Sequence, residues 1–209
     1  MRFQMDLPDG PRILVRPVVP SDRGQLLSGF EKLSERSRFF RFLGAMSRLS
    51  PEDLDRFTAA GDANHGAFGA LDISGAAPVP VAIARYERFG DGSALAEMAV
   101  TVIDAYQGRG VGTVMVATTA YCAAKAGIEA LIAFVHPENT GMSHLLLSLG
   151  AMTENRSPSE ICYRLPVTTA ADGYPDTARG IVLKRTFAAI EAPAPDYPEQ
   201  VEPTGGFRP

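Results

Sequence analysis

Three alternating glycines, Gly108, Gly110 and Gly112, separate an apolar β-branched run from a long alanine- and valine-rich segment. The run over 98–103 predicts a strand buried on both faces, and the segment over 111–127 predicts a helix. A glycine loop between a strand and a helix presents unpaired backbone N–H groups and the positive end of the helix dipole to an anion. The spacing therefore predicts a phosphate-binding site at this loop.

The residues around these glycines exclude two common phosphate-binding loops. A P-loop needs Gly-Lys-Ser or Gly-Lys-Thr after four intervening residues, whereas here Thr113 follows Gly112 directly. A dinucleotide fingerprint spaces its glycines G-x-G-x-x-G, whereas this loop has G-x-G-x-G. Glu129 lies near the place of the ribose-binding acid, but it follows a helix end and not a second strand. A glycine-rich helix start with no ligand stays the alternative.

The remaining common pattern is Q/R-x-x-G-x-G/A, filled by Gln107, Gly110 and Gly112. It resembles the pyrophosphate loop of the Gcn5-related N-acetyltransferases, the GNAT superfamily, which bind acetyl-coenzyme A (acetyl-CoA). Three segments are similar to the acetyltransferase domain of bacterial protein-lysine acetyltransferases: R-P-V-V-P-S-D (16–22), L-S-E-R-S-R-F-F-R-F (33–42) and A-E-M-A-V-T-V-I-D-A-Y-Q-G-R-G-V-G-T (96–113). The resemblance implies an acetyl-CoA-dependent N-acetyltransferase whose acceptor is a protein lysine amine.

Composition limits the class of protein. The chain has 209 residues, 45% hydrophobic and 21% charged, which is ordinary for one globular domain with a core. A net charge of −4 leaves no basic excess to displace counterions, so we expect no nucleic-acid partner. Without a membrane-spanning window or a signal peptide, we expect no membrane association and a cytoplasmic location. Cys122 and Cys162 lack metal-ligand spacing, so we expect buried, reduced thiols and no metal.

The hydrophobic pattern of the rest of the chain predicts the elements that position the loop. Five further strands are expected, at 12–18, 66–73, 80–88, 130–135 and 160–165. Three further helices are expected, beginning near Pro20, Ser50 and Pro137. The order over about 11–166, β-α-α-β-β-β-α-β-α-β, is the one that the resemblance implies. The fold is therefore predicted to be an α/β GNAT fold with a mixed sheet splayed open beside the central strand.

We divide the chain into an acetyltransferase domain, residues 1–166, and a C-terminal extension, residues 167–209. The extension contains one amphipathic helical pattern, about 176–191, followed by a Pro-rich, acidic tail that we expect to be extended or disordered. It carries no catalytic signal. Packing on the domain, homodimerisation and partial disorder all stay open for it.

The predicted chemistry requires a base. A lysine amine has a pKa of about 10.4, so an acceptor for its proton must lie near the attacking nitrogen, directly or through water. Glu97 is the only carboxylate within the central strand, and the resembling lysine acetyltransferases carry their general base at this motif position. The alternative is an ion pair of Glu97 with Arg85 or Arg88 on the neighbouring strand. His136, at a strand end, is a second candidate for a proton relay.

The resemblance also implies how acetyl-CoA is held. Main-chain groups of the central strand would pair with the pantetheine arm and polarise the thioester, while the glycine loop would take the pyrophosphate. Arg109 would contact a phosphate or point to solvent, and Asn139 would touch the cofactor or cap its helix. The full predicted set is Val100, Val102, Ile103, Gln107, Gly108, Arg109, Gly110, Val111, Gly112, Thr113 and Asn139.

One position departs from the family pattern. Many GNAT enzymes place a tyrosine on the later helix as general acid for the departing thiolate, but the matching residue here is Leu146. A thiol pKa of about 8.5 makes the thiolate a fair leaving group without that acid. Two other functions stay open: acetylation of a small amine, and a degenerate domain that binds acyl-CoA as a sensor or scaffold. Acyl groups longer than acetyl are also compatible with the sequence.

Overall fold

A computed structural model describes residues 1–8, 10–59 and 61–193. Its strands are β1 (Phe3–Asp6), β2 (Arg12–Pro17), β3 (His65–Asp72), β4 (Val79–Arg88), β5 (Leu95–Val102), β6 (Ala130–Val135), β7 (Met152–Arg156) and β8 (Ile161–Pro166). Its helices are α1 (Arg23–Glu31), α2 (Glu35–Phe42), α3 (Pro51–Thr58), α4 (Val111–Lys125), α5 (Thr140–Ser148) and α6 (Ala178–Glu191). The strands form a single mixed sheet in the order β1-β2-β3-β4-β5-β6-β8-β7. The predicted α/β fold class is confirmed.

The sheet opens beside β5. Neighbouring strands are antiparallel except β5 and β6, which are parallel and pair only from Leu95 with Ala130 to Glu97 with Ile132. On its other side, β5 stays paired with β4 as far as Val102. Residues 98–102 therefore present one backbone edge that no strand among the described residues covers, as the predicted splayed sheet requires.

Helices cover both faces of the sheet. The fifteen-residue α4 packs on β3, β4 and β5 and is mostly apolar, and eleven of its residues are buried. Its outer side is covered by α6, where Phe187 packs edge-on against Tyr121 with ring centroids 5.0 Å apart. The Tyr121 hydroxyl donates to the Glu191 carboxylate at 3.0 Å. The opposite face of β4 carries α1, which packs on α3.

Three elements were not predicted. The strands β1 and β7 are four and five residues long, and every residue of β7 is exposed, so neither gives a clear hydrophobic period. The helix α2 buries no residue completely and carries charge around its whole circumference. A local signal for it exists in Ser34, whose side-chain oxygen accepts from the Ser37 N–H at 3.2 Å and caps the helix.

The C-terminal extension packs on the domain through α6, which lies within the predicted 176–191 helix. The Pro-rich tail falls at 194–209, outside the described residues. Both cysteines are free thiols, as predicted. The prediction that they are buried was wrong in degree, because both are only half-buried. Burial raises the pKa of the Cys122 thiol to about 11. None of the described helices combines the length and the apolar character needed to cross a bilayer.

Candidate active site

The glycine loop is tied to α2 by a carboxylate. Asp104, just after β5, accepts from the Ser34 N–H at 3.0 Å and from the hydroxyls of Ser34 and Ser37 at 2.7 and 2.9 Å. Burial alone would raise the pKa of Asp104, but these hydrogen bonds hold it below its usual range. The Gln107 amide donates to the Ser37 hydroxyl at 3.2 Å and to the Val102 carbonyl at 3.1 Å. These hydrogen bonds fix the position of the N-terminus of α2 relative to the glycine loop.

The loop presents backbone, not side chains, to its surroundings. Gly108 and Gly110 have φ values of 74° and 86°, in the left-handed region that glycine adopts without strain. Gly110 is the N-cap residue of α4 and supplies no side-chain acceptor, so the N–H groups of the first turn stay uncapped. A Cβ on Gly112 would lie only 3.3 Å from the Leu145 side chain. This arrangement fits a pyrophosphate, which binds backbone N–H groups at a helix start.

A groove, here the glycine-loop groove, runs from this loop along the open edge of β5. It is bounded by α2 on one side and by α5 and α6 on the other. Its lining consists of Pro8, Ser34, Arg36, Ser37, Phe40, Arg41, Val100, Thr101, Val102, Asp104, Gln107–Gly110, Gly112, Thr113, Glu138–Met142, Leu145, Ala178, Arg179 and Val182.

Most of the predicted cofactor residues come together in this groove. Those that line it are Val100, Val102, Gln107, Gly108, Arg109, Gly110, Gly112, Thr113 and Asn139. Asn139 lines the groove, and its side-chain oxygen accepts from the Met142 N–H at 3.2 Å and caps α5, which is one of its two predicted roles. The Arg109 guanidinium lies 5.5 Å above the Tyr106 ring. Two predicted residues do not line the groove, and both are buried: Ile103 and Val111.

Glu97 is exposed on β5, opposite Glu87 of β4 and Ile132 of β6, and does not line the groove. Arg85 forms its ion pair with Glu87, at 2.7 Å. Arg88 donates to the carbonyl oxygens of Ser93 and Ala126. The alternative ion pairs of Glu97 are therefore absent, and within the described part of the chain its carboxylate has no ion-pair partner.

A second cavity lies on the other side of β5, between the sheet and α1–α3. We call it the apolar pocket, because its walls are almost entirely hydrocarbon. They consist of Arg16, Val18, Asp22, Gln25, Leu26, Gly29, Phe30, Leu33, Arg41, Phe42, Leu49, Phe57, Gly69–Leu71, Pro80–Ile83, Arg85, Ala99, Thr101 and Ile103. Arg41 and Thr101 border both cavities.

Three guanidinium groups line the apolar pocket, and they differ in their partners. Arg16 donates to both carboxylate oxygens of the buried Asp22, each at 2.7 Å, and Arg85 pairs with Glu87. Arg41 has neither a hydrogen bond nor an ion pair with any residue that the structure describes. Burial and the nearby Arg85 charge lower the pKa of Arg41 to about 10, so it stays protonated at neutral pH.

Two residues that sequence reasoning considered for proton transfer are held away from the groove. The His136 ring packs against Phe39 and Phe40 of α2, with centroids 5.2 and 5.4 Å apart, and its Nδ1 accepts from the Glu138 N–H. Leu146 is fully buried in the core. The α5 residues that line the groove are Thr140, Gly141, Met142 and Leu145, and Leu145, the neighbour of Leu146, cannot donate a proton either.

Sequence reasoning missed the walls that α2 and α6 supply. Arg36 and Arg41 of α2 line the groove, and the run of arginine and phenylalanine in that helix was a usable signal. Arg179 of α6 also lines it, although α6 lies in the extension for which no site was predicted. Its guanidinium is exposed and donates to the His144 carbonyl at 3.4 Å.

Comparison with known proteins identifies related chains. Residues 12–152 match the acetyltransferase (GNAT) domain family. Acetyltransferase PA5475 of Pseudomonas aeruginosa is 30% identical over 154 residues, which cover 74% of this chain and 82% of that protein. Acetyltransferase Pat of Mycolicibacterium smegmatis is 30% identical over 143 residues, 68% of this chain but only 42% of that protein. The crystal structure of the GNAT domain of S. lividans PAT superposes with a TM-score of 0.73 at 28% identity, covering 79% of this chain and 97% of that one.

Proposed function

This chain belongs to the GNAT acetyltransferase family, and from this premise we propose that it acetylates a protein lysine with Glu97 as general base. As a GNAT protein it is an N-acetyltransferase, and such enzymes use acetyl-CoA. The observation that carries the proposal is the open edge of β5, which leads directly into a glycine loop with uncapped N–H groups. One continuous groove thus offers sites for a chain-like ligand that carries a pyrophosphate.

The backbone does most of the binding in this proposal. The pyrophosphate is held by N–H groups of residues 108–113, with the Thr113 hydroxyl and the Arg109 charge beside them. The pantetheine arm lies along residues 98–102 as an added strand, because that edge has no strand partner. A backbone N–H near Val100 polarises the thioester carbonyl. Acetyl-CoA itself supplies an acyl group activated as a thioester.

Glu97 takes the proton of the acceptor amine, directly or through one water. Its exposed carboxylate has no ion-pair partner in the described residues and is free to accept. Arg41 and Arg85 interact electrostatically with Glu97, so an amine that approaches it meets two positive charges. These charges disfavour the protonated amine relative to the neutral nucleophile and thereby assist its deprotonation. The thiolate leaves without a tyrosine donor, because the residue at the matching position is leucine, Leu146.

The lysine acceptor is inferred from the resemblance of three segments to bacterial protein-lysine acetyltransferases. Similarity to acetyltransferase Pat and to the GNAT domain of S. lividans PAT supports the same inference. The chain spans less than half of Pat, so any function of Pat that depends on its remaining length does not transfer to this chain.

The experiment compares wild type, Glu97→Gln and Glu87→Gln. Glu87 is the cross-strand neighbour of Glu97 and is also exposed, so its substitution is a matched control. Release of free thiol from acetyl-CoA is measured with lysine peptides, lysine-rich proteins and small polyamines, and acetyl-CoA binding is measured by calorimetry. We expect Glu97→Gln to lower kcat by about 10²- to 10⁴-fold with an unchanged dissociation constant.

Equal losses in both glutamate variants would remove the base assignment, because the effect would then reflect charge on that face of the sheet. Turnover of polyamines alone would replace the protein lysine by a small-molecule acceptor. Tight acetyl-CoA binding without turnover of any acceptor would favour the sensor function.

A further inference from the structure

Arg41 is an arginine that pairs with no carboxylate in the described part of the chain, although the charge of Glu97 acts on it from beyond ion-pair distance. Its guanidinium lies 5.0 Å above the Phe42 ring and 5.9 Å from the centroid of the buried Phe57 ring. Aromatic faces stabilise a cation only in part and leave its N–H donors unused. The two other arginines of the apolar pocket, Arg16 and Arg85, each bind a carboxylate of this chain. Arg41 is partly buried, and a charge that is partly removed from water without such a partner is costly, so sites of this kind are often functional.

The position of Arg41 specifies where a missing anion would lie. Together with Thr101, it borders both the glycine-loop groove and the apolar pocket. On the groove side it lines the same cavity as Val100, where the proposed function places the thioester. A ligand group at Arg41 is thus one that extends from the thioester toward the apolar pocket.

We propose that Arg41 binds the terminal carboxylate of a dicarboxylic acyl group carried on coenzyme A, with succinyl-CoA as the representative donor. The inference rests on the proposed function and specifies its acyl donor. A planar guanidinium matches a carboxylate through two parallel hydrogen bonds, and the methylene groups between thioester and carboxylate pack on apolar walls. Those walls include Phe30, Phe57 and Val81, which are buried between α1 and the sheet. The cavity volume of the pocket is about 100 Å³, which is room for a short carbon chain.

The transfer step balances without a further reactant. The neutral acceptor amine forms a C–N bond to the thioester carbon, and the C–S bond breaks with its electron pair on sulfur. The amine loses one proton to Glu97, and the thiolate takes up one proton to become the free thiol. The product is an amide that carries a free carboxylate, so a lysine changes its charge from +1 to −1.

Equilibrium binding tests the proposal independently of turnover. Calorimetry compares succinyl-CoA with butyryl-CoA, which has the same carbon chain without the carboxylate, and with acetyl-CoA. We expect wild type to bind succinyl-CoA at least about tenfold more tightly than butyryl-CoA, the size of one hydrogen-bonded charge interaction. In Arg41→Gln this ratio falls to about one, and in Arg41→Lys part of it remains because the charge is kept without the planar fork.

Arg56→Gln is the matched control. Arg56 lies close enough to lower the pKa of Arg41, but its guanidinium pairs with Asp53 and lines neither cavity. The succinyl-to-butyryl ratio should stay at the wild-type value in this variant. Circular dichroism and thermal unfolding verify that each variant is folded.

Equal affinity of wild type for succinyl-CoA and butyryl-CoA would overturn the proposal, and so would a ratio that Arg41→Gln leaves unchanged. In either case binding of acetyl-CoA would leave the proposed function standing, whereas failure of all three donors to bind would remove both. A second arm compares lysine peptides that carry aspartate or asparagine beside the lysine. The contrary result is that wild type turns over the aspartate peptides faster and that Arg41→Gln loses this difference while its succinyl-CoA to butyryl-CoA affinity ratio is unchanged. That result would assign Arg41 to binding of the acceptor peptide and would also overturn the proposal.

Discussion

The glycine-loop groove and the apolar pocket share Arg41 and Thr101 but are built in different ways. The floor of the groove is a contiguous stretch, residues 100–113, and its predicted ligand contacts are backbone groups. The pocket is walled by side chains from α1–α3 and β2–β5, many of which also form the hydrophobic core. Binding should therefore be separable from stability in the groove, whereas in the pocket the two depend on the same side chains.

The largest effect that we expect is on stability, from the pocket wall. Phe57 is buried and its ring lies 5.2 Å from the Arg85 guanidinium. Phe57→Ala removes a buried aromatic ring and should lower the free energy of unfolding by about 3–5 kcal/mol. Chemical denaturation measures this loss, and Phe39→Ala, at a position 41% exposed, is the control with little expected change. A Phe57 variant as stable as wild type would show that the pocket wall is independent of the core.

The next effect is on binding, from the groove. Gly112→Val places a branched side chain against Leu145 at the second position of α4, where backbone must approach the phosphates. Coenzyme A affinity should fall by about 100-fold, or about 2.7 kcal/mol, with little loss of stability. Gly24→Val is the matched control, because Gly24 holds the second position of α1 and has open space around it. Comparable affinity in the two variants would contradict the backbone mode of binding.

The groove is built from one contiguous stretch of chain and the pocket from several distant elements, and this difference explains what the sequence could predict. Strand, glycine loop and helix are consecutive in the groove, and Gly108 and Gly110 adopt positive φ values for which glycine is suited. Their identity and spacing therefore encode much of the local structure. Ile103 and Val111 were assigned to the cofactor site through their main-chain groups, and the structure buries both side chains. A pattern of this kind specifies backbone position and does not indicate which side chains reach the ligand.

The pocket has no comparable pattern in the sequence. Arg41 meets Phe57, Arg85 and Glu97 only after α2, α3, β4 and β5 assemble, and no local rule reports such contacts. Sequence reasoning also could not decide whether Glu97 forms an ion pair. The predicted alternatives were Arg85 and Arg88, but Arg85 pairs with Glu87, and the choice depends on side-chain geometry across the ladder.

A smaller effect should come from the α6 side of the groove. Arg179→Gln removes an exposed positive charge from the lining, so coenzyme A affinity should fall by no more than about fivefold and the loss should shrink with added salt. Arg185→Gln on the same helix is the control, since Arg185 contacts the Asp6 carbonyl and does not line the groove. Titrations at low and high salt measure the effect. If the two variants bind alike, α6 has no electrostatic part in binding.

The smallest effect concerns Asp104, which links the groove loop to the helix that carries Arg41. Its folded-state pKa lies below the ordinary value of 3.8, so the carboxylate stabilises the fold above that pH. This contribution is lost as the pH falls through the lowered folded-state pKa. Because the carboxylate is exposed, Asp104→Asn should cost less than about 1 kcal/mol at pH 7. Unfolding measured at pH 7 and at pH 3 should give a difference that shrinks on acidification, and a constant difference would contradict the assignment.

The burial of α4 between the sheet and α6 has a consequence for hydrogen exchange. Amides in the middle of this helix are covered on all sides, so they should exchange only when a large part of the molecule opens. The amides of Val111, Gly112 and Thr113 belong to the uncapped first turn and have no such requirement. One helix thus holds among the slowest and the fastest exchanging amides of the chain. A ligand at the loop should slow the exchange of the first-turn amides alone. Exchange rates along α4 would therefore report ligand binding and global unfolding separately.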